Sequence, residues 1–248
     1  MTADRSANDC ELLVIAAHPD DAELCTGGLL LTAAAHGWKT AVADLTRGEL
    51  GSLGTPEIRA AEADAAAGVL GLSRRLNLGF PDGAVRDTDD ARRKIVRLVR
   101  QVRPRIVVTH SLEDHHPDHM GAAQLVKQSF YLCGIRKYLP ELPPWRPHGL
   151  LYALGSRMAR PDIVIDISGV IERRMEAVLC YRSQFDGKPQ PGFALRIASN
   201  LFLESHRASL KHWGSLIGAP YGEPYVSETP IAVADPTFLF GSEPWKNR

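Results

Sequence analysis

Two short stretches of the sequence concentrate residue types that bind metals and move protons. Residues 18–21 read His-Pro-Asp-Asp, and residues 116–119 read His-Pro-Asp-His. Catalytic zinc commonly takes three protein ligands from imidazole and carboxylate groups and leaves a position for water. Charged side chains next to a core cost free energy unless they are paired or bind something. The two stretches therefore predict a divalent metal site with one additional carboxylate that is not a metal ligand.

The first stretch divides into ligands and a base. His18 and Asp21 lie three residues apart across the start of a predicted helix, so both can converge on one ion. Asp20 cannot point in the same direction, because neighbouring helical residues diverge by about 100°. A free carboxylate beside an activated water can act as a general base. By this reasoning the third ligand is either His116 or His119.

Structural interpretations of the same residues are also open. Asp20 can cap the following helix by accepting amide hydrogen bonds, with His18 satisfied nearby, and the second stretch has the same alternative. Arg59 can be a surface helix residue paired with Glu57 or Glu62. The two other histidines of this region, His110 and His115, are expected to be loop or core residues rather than ligands.

The elements that must position these groups alternate between strand and helix. Residues 12–17 form a continuously apolar run, which is typical of a strand buried on both faces. Four such alternations in the first 110 residues predict a parallel sheet with right-handed crossovers. We expect a Rossmann-like, mostly parallel α/β sheet with helices on both faces. Residues 1–10 are predicted to be a flexible tail and 11–248 a single domain.

Sheet topology predicts that the two stretches meet. In a doubly wound sheet of strand order 3-2-1-4-5, the first and fourth strands are neighbours and a crevice opens between their carboxyl ends. Residues 18–21 follow the first predicted strand, and residues 116–119 follow the fourth. Because both stretches are expected at the same crevice, they support a shared metal site much more strongly than either stretch would alone.

Composition limits the class of partner. Lys and Arg number 29, as do Asp and Glu, so the formal charge of zero gives no electrostatic footprint for nucleic acid. The four cysteines are widely spaced, which favours free thiols over a disulfide framework. No apolar run reaches membrane-spanning length and no signal-like segment begins the chain. We expect a cytoplasmic protein that binds neither membranes nor nucleic acid.

In these two stretches the sequence resembles the zinc-dependent N-acetylglucosaminyl deacetylases of the PIG-L/LmbE family. The resemblance begins with Ala17-His18-Pro19-Asp20-Asp21 and the downstream His116-Pro117-Asp118-His119. Further segments resemble the branch of the family that acts in bacillithiol biosynthesis; they are residues 44–51, 54–59, 78–83, 134–138, 161–168, 181–185 and 221–224. His115 stands where that branch usually has a basic residue, and residues 188–192 match weakly.

The resemblance implies a role for each site residue. His18, Asp21 and His119 match the zinc ligands, and Asp20 matches the general base. His116 matches the histidine that, when protonated, holds the oxyanion and protonates the leaving amine, with Asp118 orienting it. Four further residues match positions around the substrate: Arg59, Asp82 and Glu49 near the sugar, and Arg207 near the aglycone.

The implied reaction is hydrolysis of the N-acetyl group of N-acetylglucosaminyl-L-malate, with Zn²⁺ as cofactor or Fe²⁺ in its place in the cell. A different N-acetylglucosamine conjugate or a chito-oligosaccharide is the nearest alternative substrate. A non-enzymatic nucleotide-binding module is a more distant alternative, because no GxGxxG follows the first strand. The expected partner is a small sugar conjugate, and we expect a homo-oligomer.

Overall fold

The computed structural model describes residues 10–155, 160–185 and 200–232. Within these residues the chain forms seven strands and seven helices. The strands are β1 (Leu12–Ala16), β2 (Thr40–Thr46), β3 (Arg74–Phe80), β4 (Ile106–His110), β5 (Gly149–Ala153), β6 (Ile163–Asp166) and β7 (Gly222–Ser227). The helices are α1 (Asp21–Ala35), α2 (Pro56–Leu70), α3 (Asp89–Val102), α4 (Pro117–Leu132), α5 (Ile171–Leu179), α6 (Arg182–Phe185) and α7 (Asn200–Ser215).

All seven strands belong to one sheet of order β3-β2-β1-β4-β5-β7-β6. The pairs among the first five strands are parallel, whereas β7 pairs antiparallel with both β5 and β6. The predicted neighbours β1 and β4 pair directly, with Leu12 opposite Ile106. The predicted α/β class is therefore confirmed, with one antiparallel strand that the sequence pattern did not reveal.

Alternate side chains of β1 pack on opposite faces of the sheet. Leu13 and Ile15 belong to a core shared with α3 and α4, whereas Leu12 and Val14 belong to a core shared with α1. Because both faces are covered, the strand can be apolar at every position. Because β1 is buried on both faces, its position in the sheet is fixed. The point at which residues 18–21 leave the edge of the sheet is therefore fixed as well.

The ends of α2 have the residues that favour them. Thr55 caps α2 by accepting a hydrogen bond from the amide of Ile58, and Gly71 ends that helix with a positive φ of 69°. Ser168, shortly before α5, exchanges hydrogen bonds with the backbone of Tyr221 instead of capping that helix. That helix, α5, begins three residues later, at Ile171.

Cys10, predicted to be the last residue of the flexible tail, is buried, and its amide donates to the carbonyl of Val102. Residues 1–9 and the weakly matching residues 188–192 lie outside the described residues. All four cysteines are free thiols, as expected. Within the described part of the chain, no helix combines the length and apolar character needed to cross a membrane.

A buried ion pair between α5 and β7 contacts the backbone of α1. Arg174 of α5 donates to Oε1 of Glu223 of β7 at 2.6 Å, and both side chains are essentially inaccessible to solvent. The N–H of Gly28 and the carbonyl of Leu24, which pair in a regular helix, contact Glu223 and Arg174 respectively. The helix that carries Asp21 is thereby anchored to two distant elements.

Candidate active site

The two histidine-aspartate stretches meet at the carboxyl edge of the sheet. Residues 18–21 occupy the turn between β1 and α1, and residues 116–119 occupy the start of α4, which follows β4. Because β1 and β4 are paired neighbours, the two turns face each other across the crevice, as the topology predicted. Asp82, just after β3, reaches the same place: its Oδ1 lies 3.1 Å from Nε2 of His18.

The three expected metal ligands gather around the carboxylate of Asp21. Its Oδ2 lies 3.1 Å from Nδ1 of His18, and its Oδ1 lies 3.2 Å from Nε2 of His119. Oδ2 also accepts a hydrogen bond of 2.8 Å from the amide of His18. The three side chains are largely buried, so the structure brings together the imidazole and carboxylate groups that a catalytic zinc site requires.

The groups of possible ligands among the described residues each hold at most two of the three expected ligands. The ligand atoms of His18, His116 and His119 lie within 4.8 Å of one another, as do those of Asp21, His110 and His119. The third group is His18, Asp82 and Asp118. His110 is already engaged, because its Nε2 accepts a hydrogen bond of 2.9 Å from the amide of Ala17. Its expected role as a core residue therefore fits the structure better than a ligand role.

The electrostatics of this crevice favour a cation. Burial lowers the pKa of His18, but contacts with Asp21 and Asp82 outweigh it and raise that pKa to about 11. Burial likewise opposes a charge on His119, yet Asp21 and Asp114 raise its pKa to about 10. A site whose carboxylates draw protons onto two buried imidazoles attracts a divalent cation for the same reason. The donor set thus fits a metal of the zinc type.

Asp20 does not cap α1, so the capping interpretation of this residue is wrong. Its side chain makes no capping hydrogen bond, and its backbone has a φ of 112°. A non-glycine residue in that region costs on the order of 1–3 kcal/mol and occurs preferentially at functional sites. Oδ2 of Asp20 instead accepts a hydrogen bond of 2.9 Å from Nη2 of Arg59. Burial raises the pKa of Asp20 to about 7, in the range that suits a general base.

Arg59 is buried beside Asp20 rather than exposed on the helix surface. Its Nη2 also donates to the carbonyl of Pro19, so the guanidinium contacts two consecutive residues of the catalytic turn. Gly48 of the β2–α2 loop lies against this group: a Cβ there would stand 2.4 Å from Nη1 of Arg59. Contact of Arg59 with a sugar remains a prediction, whereas its contact with the candidate base is part of the structure.

His116 has one defined hydrogen bond that fixes its tautomer. Its Nδ1 accepts a hydrogen bond of 3.2 Å from the amide of Asp118, which places the ring proton on Nε2. Burial, together with the neighbouring histidines His119 and His18, lowers the pKa of His116. The imidazole is therefore neutral at neutral pH. It can donate a hydrogen bond from Nε2. The protonated state that the resemblance implies for His116 stays a prediction.

The carboxylate of Asp118 is directed away from His116. Oδ1 accepts from the amide of Val85 at 3.0 Å, and Oδ2 accepts from the amide of Gly83 at 2.7 Å. Oδ2 also lies 3.2 Å from Nε2 of His18. Asp118 therefore orients His116 through its main-chain amide, while its side chain holds the loop after β3 and contacts His18.

The predicted substrate residues differ in how they are engaged. Both carboxylate oxygens of Glu49 accept from main-chain amides, those of Asp82 and Arg47, so Glu49 ties two loops together at the mouth. Oδ2 of Asp82 accepts from the amide of Leu50. The hydrogen bond from His18 lowers the pKa of Asp82 to about 2, although burial opposes that shift.

Arg207 lies among different neighbours. Its guanidinium is paired with Glu172 of α5 and donates from Nε to the hydroxyl of Tyr221 at 3.1 Å. Glu172 is three-quarters exposed, so this ion pair is a surface contact that contributes little stability. A negatively charged ligand could replace Glu172 at low cost. The aglycone contact of Arg207 stays a prediction.

Sequence reasoning did not assign a role to Asp114. Its Oδ2 lies 3.2 Å from Nδ1 of His119, and its Oδ1 accepts from the amide of His116 at 2.9 Å. Burial opposes ionisation, yet the hydrogen bonds to His119 and to the amide of His116 hold the pKa of Asp114 below its ordinary value. Its position five residues before His119 was the available signal, but spacing in a loop does not reveal side-chain direction.

Comparisons with known proteins match this chain to one protein family and to several individual proteins. Residues 13–130 match the PIG-L family model, described as GlcNAc-PI de-N-acetylase. The conserved protein TT1542 from Thermus thermophilus, a crystal structure, is 40% identical with a TM-score of 0.83, and the match covers 91% of this chain and 97% of that chain.

Two curated relatives are named as deacetylases. The 1D-myo-inositol 2-acetamido-2-deoxy-alpha-D-glucopyranoside deacetylase of Streptomyces avermitilis is 28% identical over 73% of this chain and 78% of its own length. The diacetylchitobiose deacetylase of Thermococcus kodakarensis is 27% identical over 71% of this chain and 70% of its own. Two further deacetylases with the first name are matched over only 58% and 62% of their length.

Proposed function

This chain belongs to the PIG-L/LmbE family, and from that premise we propose that it hydrolyses the N-acetyl group of an N-acetylglucosaminyl conjugate. One observation carries the proposal: a buried carboxylate, Asp20, stands beside a cluster of imidazole and carboxylate donors at the carboxyl edge of the sheet. Relatives named as deacetylases of sugar conjugates support the same reaction.

The residues of this chain divide the work of an amide hydrolysis. His18, Asp21 and His119 would hold the metal, Zn²⁺ or Fe²⁺. When bound, the metal would polarise the acetamide carbonyl and lower the pKa of a nearby water to about 7. Asp20 removes a proton from that water as its oxygen attacks the carbonyl carbon. Arg59 occupies Oδ2 of Asp20, which leaves Oδ1 to receive the proton.

His116 stabilises the charge that develops on the carbonyl oxygen. Because its Nδ1 accepts from the amide of Asp118, its Nε2–H is available as a hydrogen-bond donor. We assign to Asp20 the proton that the leaving nitrogen needs when the C–N bond breaks, because Asp20 has received a proton from water. The products are acetate and a free glucosaminyl amine.

N-acetylglucosaminyl-L-malate is the specific substrate that we propose. The segments that resemble the bacillithiol branch include residues 221–224, and Tyr221 contacts Arg207. A planar guanidinium can bind a malate carboxylate through two hydrogen bonds, and the exposed Glu172 is the group it would displace. Arg59 is committed to Asp20, so we assign recognition of malate to Arg207 alone. A homo-oligomer remains a further prediction.

Acetate release and metal content test the proposal together. Purified protein should contain about one equivalent of divalent metal, and His18→Ala should lose it. Acetate should be released from N-acetylglucosaminyl-L-malate with a higher kcat/KM than from N-acetylglucosamine or diacetylchitobiose. Equal kcat/KM values would contradict the malate assignment alone. Protein that carries no metal, or that binds nucleotides and releases no acetate from any conjugate, would contradict the deacetylase assignment.

A further inference from the structure

The loop before α4 contains a carboxylate, Asp114, that contacts the expected metal ligand His119 at the ring nitrogen opposite the one that contacts Asp21. Asp114 lies between the loop surface and the site, with 14% of its side chain exposed. Its Oδ2 faces Nδ1 of His119 at 3.2 Å, and its Oδ1 accepts from the amide of His116 at 2.9 Å. One carboxylate thus joins the side chain of His119 to the backbone of His116.

The opposite nitrogen of the same ring faces the metal site. Nε2 of His119 lies 3.2 Å from Oδ1 of Asp21, and His119 belongs to two of the groups of possible ligands. The ring also stacks on His110, with centroids 4.0 Å apart and planes 15° from parallel. His110 is itself fixed by the amide of Ala17. The ring of His116 also stacks on His119, with centroids 4.7 Å apart. The ring of His119 is therefore held by two stacked rings and along one edge.

We propose that Asp114 is a positioning residue that keeps the proton of His119 on Nδ1 and so directs the Nε2 lone pair at the metal. A carboxylate accepts and cannot donate, so only the Nδ1–H tautomer is compatible with this contact. Carboxylates behind metal-binding histidines fix the tautomer and ring orientation, and their loss typically weakens metal binding about 10- to 100-fold. The inference rests on the proposed metal site.

Asparagine at this position reverses the contact with Nδ1 of His119 and keeps the contact with the amide of His116. Oδ1 of Asp114 also lies 3.0 Å from Nδ1 of the exposed His115, where the carbonyl oxygen of asparagine can still accept. In Asp114→Asn, the carbonyl oxygen can still accept from the amide of His116, so the loop keeps its anchor. The amide NH₂ then faces Nδ1 of His119 as a donor and favours the Nε2–H tautomer. That tautomer has no lone pair on Nε2, the nitrogen that faces the metal site. The substitution should therefore weaken metal binding without unfolding the loop.

The matched control is Glu113→Gln. It removes the same charge from the adjacent residue of the same loop, but Glu113 is exposed. Zn²⁺ alone is the probe, and its Kd is measured on apoprotein by competition with a chromogenic chelator. We expect an about 10- to 100-fold higher Kd for Asp114→Asn and a wild-type Kd for Glu113→Gln. A wild-type Kd for Asp114→Asn, or an equal loss in both variants, would overturn the inference.

A second measurement uses the wild-type protein and needs no variant. Ring ¹⁵N and ¹H NMR of zinc-loaded protein should show His119 protonated at Nδ1, with its Nε2 shifted by the metal. Metal on Nδ1, or a proton on Nε2, would overturn the role of Asp114 even if asparagine prevented folding. Failure of the wild-type protein to bind Zn²⁺ at all would instead overturn the metal site and this inference with it.

Discussion

Arg59 donates from Nη2 to Oδ2 of Asp20 at 2.9 Å, across 39 positions of sequence. The pair is buried, with 6% and 9% of the two side chains exposed. The same nitrogen contacts the carbonyl of Pro19, so the guanidinium braces the turn whose backbone has a positive φ at Asp20. Arg59 thus holds the candidate base in an unfavourable backbone conformation through Oδ2 and leaves Oδ1 outside this ion pair.

Gly48→Ala should lower kcat about 10- to 100-fold, because small displacements of a catalytic group cost rate steeply. Its Cβ would approach Nη1 of Arg59 to 2.4 Å and displace the guanidinium from Asp20. Gly37→Ala is the matched control, since Gly37 has a similar φ of 78° but nothing within 4 Å of its Cβ. Both variants should lose about 1–2 kcal/mol of stability from the left-handed backbone. Equal kcat values in the two variants would contradict the role of Arg59.

Asp20→Asn should keep the metal and lose turnover. An amide cannot take the proton from water, and loss of a general base typically costs about 10²- to 10⁴-fold in rate. Steady-state acetate release gives kcat, and metal analysis of the same preparation gives occupancy. Turnover close to that of the wild type would exclude Asp20 as the base.

His116→Ala should also retain the metal while kcat falls about 10²- to 10³-fold, the usual cost of losing one oxyanion donor. Its ring lies among the possible ligands, so metal occupancy decides between the two roles. Occupancy that falls together with kcat would identify His116 as a ligand instead. His18→Ala provides the reference for loss of a ligand.

Arg174→Met should destabilise the fold by about 3–5 kcal/mol, because it leaves the buried carboxylate of Glu223 without its cation. For a chain of this size the melting temperature should fall by about 6 to 20 °C. Arg173→Met is the control, since Arg173 is an exposed neighbour on α5 that donates to the carbonyl of Val69. A fall in Tm of the same size for both variants would show that the buried ion pair is not the cause.

His206 should make the protein less stable in acid. Burial, with the charge of Arg174, lowers its pKa from 6.5 to about 3. Between those pH values the unfolded chain binds a proton that the folded chain does not, so the free energy of unfolding falls as the pH is lowered through 6.5. One such group contributes up to about 1.4 kcal/mol per pH unit.

Denaturant unfolding of His206→Gln from about pH 7.5 down to about pH 4, a window that covers most of the range between the two pKa values, measures this contribution. The variant should show a flatter dependence on pH than wild type, because glutamine can still accept from Arg174 but does not titrate. His212→Gln, at an exposed position of the same helix, should leave the wild-type dependence unchanged. Parallel curves for His206→Gln and wild type would contradict the assignment.

The sequence by itself determined the frame of this protein. The continuously apolar run at residues 12–17 and the strand-helix alternation predicted a parallel sheet in which β1 and β4 are neighbours, and this is confirmed. That topology placed residues 18–21 and 116–119 at one crevice. Such inferences succeed because burial on both faces and crossover handedness depend on local pattern and on general rules of chain packing.

Only the tertiary structure decided the direction of each polar side chain. Periodicity cannot predict that the carboxylate of Asp118 turns to the amides of Gly83 and Val85, because those partners lie 35 and 33 residues away in sequence. Nor can it predict that Asp114 reaches His119, since loop backbone angles set that direction. The positive φ of Asp20 likewise arises from the surrounding packing, including Arg59, and not from its own conformational preference.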